Sequence, residues 1–467
     1  MASTYLSRTQ TAGNQKTWTF SAWVKRSIIA ENCVFSVDDG SDFLVGRFNS
    51  GSIWEHREYD GSEKVRFKTT AIYTDTTAWM HIVEKCDTTQ SVEADRFKIF
   101  INGVDQSPYY NTDTYPAEDQ LTRIGWNGTT MRIGADDGAA NALDGYLAQV
   151  VLTDGYAYDA TTFGSFDATT GEWKPKSDGE IRSGVTFGTN GFLLPFSNAS
   201  YLGYDYQTSD RSGTTNDFTV SGSGYKAQDN PSNNFCTLNA NFASTGASSS
   251  VAKTTTYANL AGYPAGNNGF ACTLGATKGK WYWEARPVAA YAMMGIMSGS
   301  ASALGTYDAD YANGFTTYGG NKAIMVGTAG SDLQLMNVTT SDTTWGTALN
   351  ESTDVLGVAV DLDNNNIYFS VNGVWQNSGV PTSGATGTGA VAITVQTGFP
   401  ALGEEVWLPA MNTFSGSANV QFNFGQGYFG STSAGATNAD DAGIGVFKYD
   451  VPAGFYALCT KNLNTYG

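Results

Sequence analysis

The chain has 467 residues, enough for two or three folding units at about 100–200 residues each, and only 15% of them are charged. Asp and Glu total 44 against 26 Lys and Arg, a formal charge of −18 with no basic run; this argues against nucleic-acid binding, which needs cations to release phosphate counterions, and against docking on anionic lipid. The five cysteines (Cys33, Cys86, Cys236, Cys272, Cys459) are widely spaced and odd in number, so they describe neither a disulfide framework nor a zinc site; buried thiols in a reducing cytosol are expected.

The N-terminal segment MASTYLSRTQTAG has no apolar core of the kind a secretory signal needs, and no run of 18 apolar residues occurs, so no membrane insertion is expected. Residues 17–24, TWTFSAWV, alternate with period two and read as a half-buried strand carrying Trp18, Phe20 and Trp23; residues 43–48 and 65–69 repeat the pattern. RFKIFINGV (96–104) runs straight into Asn102-Gly103, a pair that accepts the positive φ of a tight hairpin. With strands at 121–134 and 145–153, and no amphipathic helix, the first sandwich is expected over 1–158. Residues 159–232 are crowded with turn residues around one apolar run, Gly191–Phe196, and read as a loop-rich connecting segment.

From 233 the sandwich pattern resumes. KGKWYWEARPV (278–288) places Trp281 and Trp283 on one strand face and Tyr282 and Glu284 on the other. Residues 355–375 contain two hairpin turns, 361–366 and Asn372-Gly373, and strands at 420–426 and 454–459 close a second sandwich over 233–467. IFINGV (99–104) and YFSVNGV (368–374) both end an aromatic strand at Asn-Gly-Val, late in each half. The halves therefore read as two domains of one sandwich type, with chance likeness between unrelated hairpins as the alternative.

Candidate chemistry is sparse. DLDNNN (361–366) begins like a calcium loop, but its sixth position is Asn366 and its twelfth Asn372, so a polar hairpin turn is the better reading. Asp136, Asp137, Asp361 and Asp363 stand as calcium candidates, and no other cofactor is expected. Only His56 and His81 are available for acid–base work, and His81, in TAWMHIVEKC, reads as a hydrogen-bonded strand residue. Glu93-x-Asp95 is followed by Lys98 where a glucanase-type strand needs a third carboxylate, so no catalytic residues are expected. Tyrosines in turn-rich stretches, Tyr109, Tyr110 and Tyr115 or Tyr201, Tyr204 and Tyr206, cannot all be core; they offer flat apolar area for sugar rings or for another subunit.

TWTFSAWVKRS, TAWMHIVEKCD and RFKIFINGV resemble a lamin-G/concanavalin-like domain. GKWYWEARP, DVLGVAVDLDNNNIYFSVNGV and VQFNFGQ…GFYALC resemble a SPRY domain. DGYLAQVVLTDG, FGSFDATTGEWKPK, NGFLLPFSNASYLGYDYQTS, NDFT and DNPSNNFCTLN resemble a segment of structural proteins of tailed bacteriophages, especially marine ones. The resemblance spans nearly the whole chain. It implies an all-β fold, two antiparallel concanavalin-like jelly-roll β-sandwiches in tandem joined by the loop-rich segment. It also implies a virion-surface protein of tail-fibre or receptor-binding type, made in the host cytoplasm and released by lysis. Expected partners are other virion proteins and host-surface glycan or lipopolysaccharide, and avidity favours a homo-oligomer such as a trimer. SPRY domains bind through loops at one end, so Tyr307, Tyr311 and Tyr318, with Tyr109, Tyr110 and Tyr115, are the expected binding residues. The absence of a heptad stalk keeps a capsid decoration or appendage protein as an alternative, and a glycan depolymerase is the third.

Overall fold

The computed structural model describes residues 4–109, 113–212, 215–239, 241, 253–264, 269–289, 292–299, 323–328, 332–336, 341–394, 404–413 and 419–467. It divides into two compact units, Met1–Lys226 and Ala227–Gly467. Both are all-β sandwiches of antiparallel sheets, as the alternating sequence demands.

In the first unit the strands are β1 (Tyr5–Thr9), β2 (Thr17–Arg26), β3 (Asn32–Asp38), β4 (Phe43–Phe48), β5 (Trp54–Tyr59), β6 (Glu63–Lys68), β7 (Met80–Asp87), β8 (Phe97–Ile101), β9 (Val104–Asp105), β10 (Thr130–Ile133), β11 (Gly145–Asp154), β12 (Gly164–Phe166), β13 (Trp173–Pro175), β14 (Phe192–Leu194) and β15 (Thr219–Ser221). One sheet runs β15-β1-β10-β3-β4-β5-β6 and the other β14-β11-β2-β7-β8-β9. The expected strand over 121–134 shrinks to β10, because 122–129 turn back to hydrogen-bond the Gln10–Gln15 loop.

Strand β2 shows why its pattern is apolar almost throughout. Trp18, Phe20, Ala22 and Val24 point between the sheets into the main core, while Trp23 points the opposite way into a second cluster with Val83, Val151, Phe163 and Trp173. That second cluster is where the expected connecting segment goes. Residues 159–226 do not stand apart as a linker: Ala160, Phe163, Trp173, Ile181 and Phe187 cover the outer face of the six-stranded sheet, and β14 and β15 extend both sheets. The boundary therefore falls at 226, beyond the expected 158, since an apolar sheet face must be covered by some apolar layer. The cover includes one helix, α1 (Asp178–Gly184), begun by a Ser177/Glu180 capping box.

In the second unit the strands are β16 (Lys253–Thr256), β17 (Ala261–Pro264), β18 (Gly269–Ala271), β19 (Lys280–Pro287), β20 (Ala292–Ser298), β21 (Ala323–Thr328), β22 (Asp332–Met336), β23 (Ser341–Thr347), β24 (Leu356–Asp361), β25 (Asn366–Val371), β26 (Val374–Trp375), β27 (Val391–Ala392), β28 (Trp407–Thr413), β29 (Val420–Asn423), β30 (Tyr428–Phe429), β31 (Thr432–Ser433) and β32 (Tyr456–Ala457), followed by helix α2 (Thr460–Tyr466). One sheet has the path β16-β17-β29-β19-β24-β25-β26 and the other β18-β28-β20-β21-β22-β23.

These orders repeat those of the first unit strand for strand. The path β11-β2-β7-β8-β9 corresponds to β29-β19-β24-β25-β26, and β1-β10-β3-β4-β5-β6 corresponds to β18-β28-β20-β21-β22-β23. The Asn-Gly turns fall at the same place in both. Asn102 and Asn372 take φ of 48° and 51°, Gly103 and Gly373 take 79° and 80°, and the two Asn Oδ1 atoms accept the backbone N–H groups of His81 and Val355. Each turn is capped by an aromatic ring from the chain that follows β11 in the first unit and β29 in the second. A Cβ on Gly103 would lie 2.4 Å from the Trp173 ring, and one on Gly373 would lie 2.8 Å from Tyr449. In both units that following chain covers the outer face of the sheet; Phe447, Phe455 and Ala457 do so over Tyr282, Ala359 and Tyr368.

The second cover is tied down by Glu284, fully buried on β19. Its carboxylate accepts the backbone N–H groups of Lys448 (2.9 Å) and Tyr449 (2.8 Å) and the Asn423 amide (3.1 Å). Glu284→Ala leaves two buried backbone donors without acceptors, so it is expected to destabilise the second unit by about 3 kcal/mol. Calorimetry of the intact chain should show one unfolding transition lowered and the first unit's transition unmoved.

Candidate functional site

The residues expected to bind are placed differently by the structure. Tyr109 is core: it is 8% exposed, packs edge-on against Phe67 with centroids 5.0 Å apart, and its hydroxyl accepts the Ile99 N–H at 2.7 Å. Tyr115 is half-buried against the same Phe67 ring at 4.7 Å. Mutual backbone hydrogen bonds between Arg66 and Thr114 fold this loop back on the sandwich, which turns its aromatic side chains inward. These two tyrosines are therefore not an exposed platform. Tyr110, Tyr307, Tyr311 and Tyr318 lie outside the described residues.

Three of the four calcium candidates, Asp136, Asp361 and Asp363, hold other partners. Asp361 pairs with Lys280 at 3.0 Å and accepts both the N–H and the side-chain amide of Asn364, while Asp363 accepts the Gly279 N–H. Both carboxylates serve the hairpin turn. Asp136 accepts the Asn141 amide at 2.7 Å, and Asp137 is an exposed turn residue. Among the described residues no group of three or more His, Cys, Asp or Glu is placed to hold a metal ion. Glu93–Asp95 form a short 3-10 turn rather than a strand, so their side chains do not line one sheet face.

Both histidines are interior. His56 Nδ1 lies 2.7 Å from Glu84 Oε2 between the sheets, and Trp54 Nε1 donates to Glu84 Oε1 at 2.8 Å. His81 sits under the cover segment, as a hydrogen-bonded strand residue. Trp173 Nε1 can only donate, so His81 Nδ1 is the acceptor at 2.9 Å, and its Nε2–H donates to Ser21 Oγ at 2.8 Å. Burial pushes the His81 pKa down to about 3, so the ring is neutral. All five cysteines are free and buried.

The exposed aromatic constellation of the first unit is built by residues 198–212 and 215–217, from tyrosines that sequence reading names without ranking. Asp205, fully buried, is the loop's anchor: its carboxylate accepts the N–H groups of Leu193 (2.9 Å), Gln207 (2.9 Å) and Asn216 (2.8 Å). The Asn216 amide in turn donates to the Thr189 and Gly191 carbonyls. On this base Tyr201 and Tyr204 stack with centroids 4.3 Å apart at 9°, the Arg211 guanidinium lies 3.7 Å over Tyr204, and the Tyr206 ring is 5.5 Å from the guanidinium. Arg211 donates to Asp217 at 2.6 Å and to the Asp205 carbonyl at 3.0 Å, and the Asp217 hydrogen bond raises its pKa.

The result is a ladder of ring, ring and cation that ends in Tyr201, 53% exposed. Stacking fixes the terminal ring before any ligand arrives, so docking on it has little rotamer entropy left to lose. Chemically it offers a flat apolar face that carries a phenol hydroxyl, with the Arg211–Asp217 pair packed against Tyr204. The signal that separates these tyrosines from Tyr109 is the Asx-rich frame around them, Asp205, Asn216 and Asp217, since such residues fix loops by local hydrogen bonds.

No helix among the described residues is long and apolar enough to cross a membrane. No curated protein sequence matches the chain. Similar solved structures include the PSpry domain of TRIM65 (12% identity, TM-score 0.27, 40% of this chain and 91% of that one). Others are the SPRY domain of human HERC1 (14%, TM-score 0.24, 35% and 87%) and a heptameric SAP-like pentraxin from Limulus polyphemus (14%, TM-score 0.26, 33% and 71%). Residues 2–160 match the family model described as the concanavalin A-like lectin/glucanases superfamily.

Proposed function

We propose that the chain is a non-catalytic glycan-binding protein of a tailed-bacteriophage virion, an adhesin of tail-fibre type that attaches to host-surface carbohydrate. The observation that carries the glycan reading is the preorganised ladder ending in the exposed face of Tyr201. A sugar ring presents C–H bonds that pack on such a face, and the polar atoms around it match ring hydroxyls. The lectin-type family of residues 2–160 supports the same chemistry. The virion assignment rests on the phage-like segments from DGYLAQVVLTDG to DNPSNNFCTLN, supported by buried free thiols that need no oxidising compartment. Catalysis is left out because both histidines are enclosed in packed layers, out of a substrate's reach.

The test is a glycan array and host-cell adsorption with the purified chain. Tyr201→Ala should weaken binding about tenfold, or about 1.4 kcal/mol, while Tyr201→Phe keeps the stack and most of the affinity. A chain that adsorbs to no glycan and no host cell would overturn the reading.

A further inference from the structure

The second unit repeats the strand order of the first, and it carries an exposed tyrosine pair of the same kind. Tyr456 on β32 and Tyr466 at the end of α2 stack with centroids 3.6 Å apart at 7°, closer and flatter than Tyr201 and Tyr204. Tyr466 is 36% exposed. The base is rigid here too. Asp440, buried, accepts the N–H groups of Ala442, Ile444 and Ala457 and the amide of Asn462, and Asn462 also donates to the Ala457 carbonyl. One buried aspartate thus fixes each pair, Asp205 in the first unit and Asp440 in the second.

The cations near the first pair are engaged: Arg211 by Asp217, Arg8 by Asn190, and Lys226 by the Ser197 carbonyl. Around Tyr456 the carboxylates are Asp440 and Asp441, Lys280 on the adjoining strand is held by Asp361, and Lys461 lies on α2. A chain of −18 overall disfavours an anionic sugar.

We propose that Tyr456 and Tyr466 form a second glycan station, so that one chain binds two segments of a neutral glycan through two stacked-tyrosine platforms. This rests on the glycan reading of the Tyr201 ladder. Each platform takes a pyranose that presents axial C–H bonds on one face. Paired stations convert weak single contacts into firm attachment to a repeating polysaccharide.

The experiment screens the intact chain against neutral hexose oligosaccharides and their uronate counterparts, then titrates the strongest binder by calorimetry. Two equivalents of neutral oligosaccharide per chain are expected, with uronates at least tenfold weaker. Tyr201→Ala and Tyr466→Ala should each reduce the stoichiometry to one, and the double variant should not bind. Tyr466→Phe should keep both equivalents and an unchanged melting profile, which separates a lost platform from a disturbed helix. One equivalent in the wild type, abolished by Tyr201→Ala alone, overturns the second station and leaves the glycan reading standing. Tighter uronate binding overturns the neutral specificity. No binder of either kind overturns the glycan reading and the second station together.

Discussion

Glu58→Gln should stabilise the first unit by about 3 kcal/mol at pH 7 and at the same time make it acid-labile. Glu58 is buried on the inner face of β5; Oε1 accepts the Arg123 N–H at 2.8 Å, and Oε2 has no hydrogen-bond partner among the described residues. Burial raises its pKa to about 7 from its ordinary 4.5. The unfolded chain ionises this carboxyl from pH 4.5 and the folded chain only near 7, so stability falls across that interval and then levels, a total of about 3 kcal/mol. His81 acts in the opposite direction. Burial lowers it to about 3 from 6.5, so as pH drops below 6.5 the unfolded chain gains a proton that the folded chain refuses, and stability falls toward pH 3 by up to about 5 kcal/mol.

Between pH 4.5 and 6.5 the two slopes have opposite signs and nearly cancel, so these groups leave the wild type almost flat there. The amide of the variant removes one slope and keeps the other. Its advantage should be about 3 kcal/mol at pH 7, shrink by about 1 kcal/mol for each pH step below 7, and vanish near pH 4. Urea unfolding of the intact chain from pH 4 to 8, following the first unit's transition, reads this directly. Variant and wild-type profiles that run parallel would show that Glu58 is not the buried acid it is taken for.

The strands were legible because they obey period two. Phe43–Phe48 emerges with the expected bounds, and the two hairpins of 355–375 fall where the turns predict. What period two cannot say is how many layers cover a sheet. Trp23, Val83 and Val151 are apolar on the outer face of their strands, which marks that face for burial, but nothing local names the segment that covers it. Sequence reading therefore takes 159–232 for a linker, although Trp173, Ile181 and Phe187 are spaced through it, and Ser177-x-x-Glu180 marks a helix start. The site was half legible for a related reason. Tyr109 and Tyr201 both lie among turn residues, and only the direction in which the loop closes puts one in the core and the other in water. The duplicated topology was visible in its Asn-Gly turns and in the aromatic strands that open each half, TWTFSAWVKR and KWYWEARP, which share aromatic content rather than order.

The cover segment of the first unit hangs on Trp173, and Trp173→Ala is expected to cost that unit about 3–5 kcal/mol. The indole is 7% exposed, packs edge-on with Phe166 at 4.8 Å, and fills the space that Cβ atoms at Gly103 and Gly164 would otherwise occupy. Its N–H also satisfies His81 Nδ1. Removing it leaves that nitrogen open to water, so His81 should climb from about 3 toward its ordinary 6.5. The two effects separate by substitution. Trp173→Phe keeps much of the apolar contact but loses the donor; it should cost less stability and still raise the His81 pKa, read by NMR titration of the ring protons. In Trp173→Ala, proteolysis and amide exchange should rise within residues 155–190 while β2 and β7 stay protected, because the main core between the sheets does not depend on the cover. Unfolding of the whole unit at the first cleavage would show instead that the outer cluster and the main core melt as one.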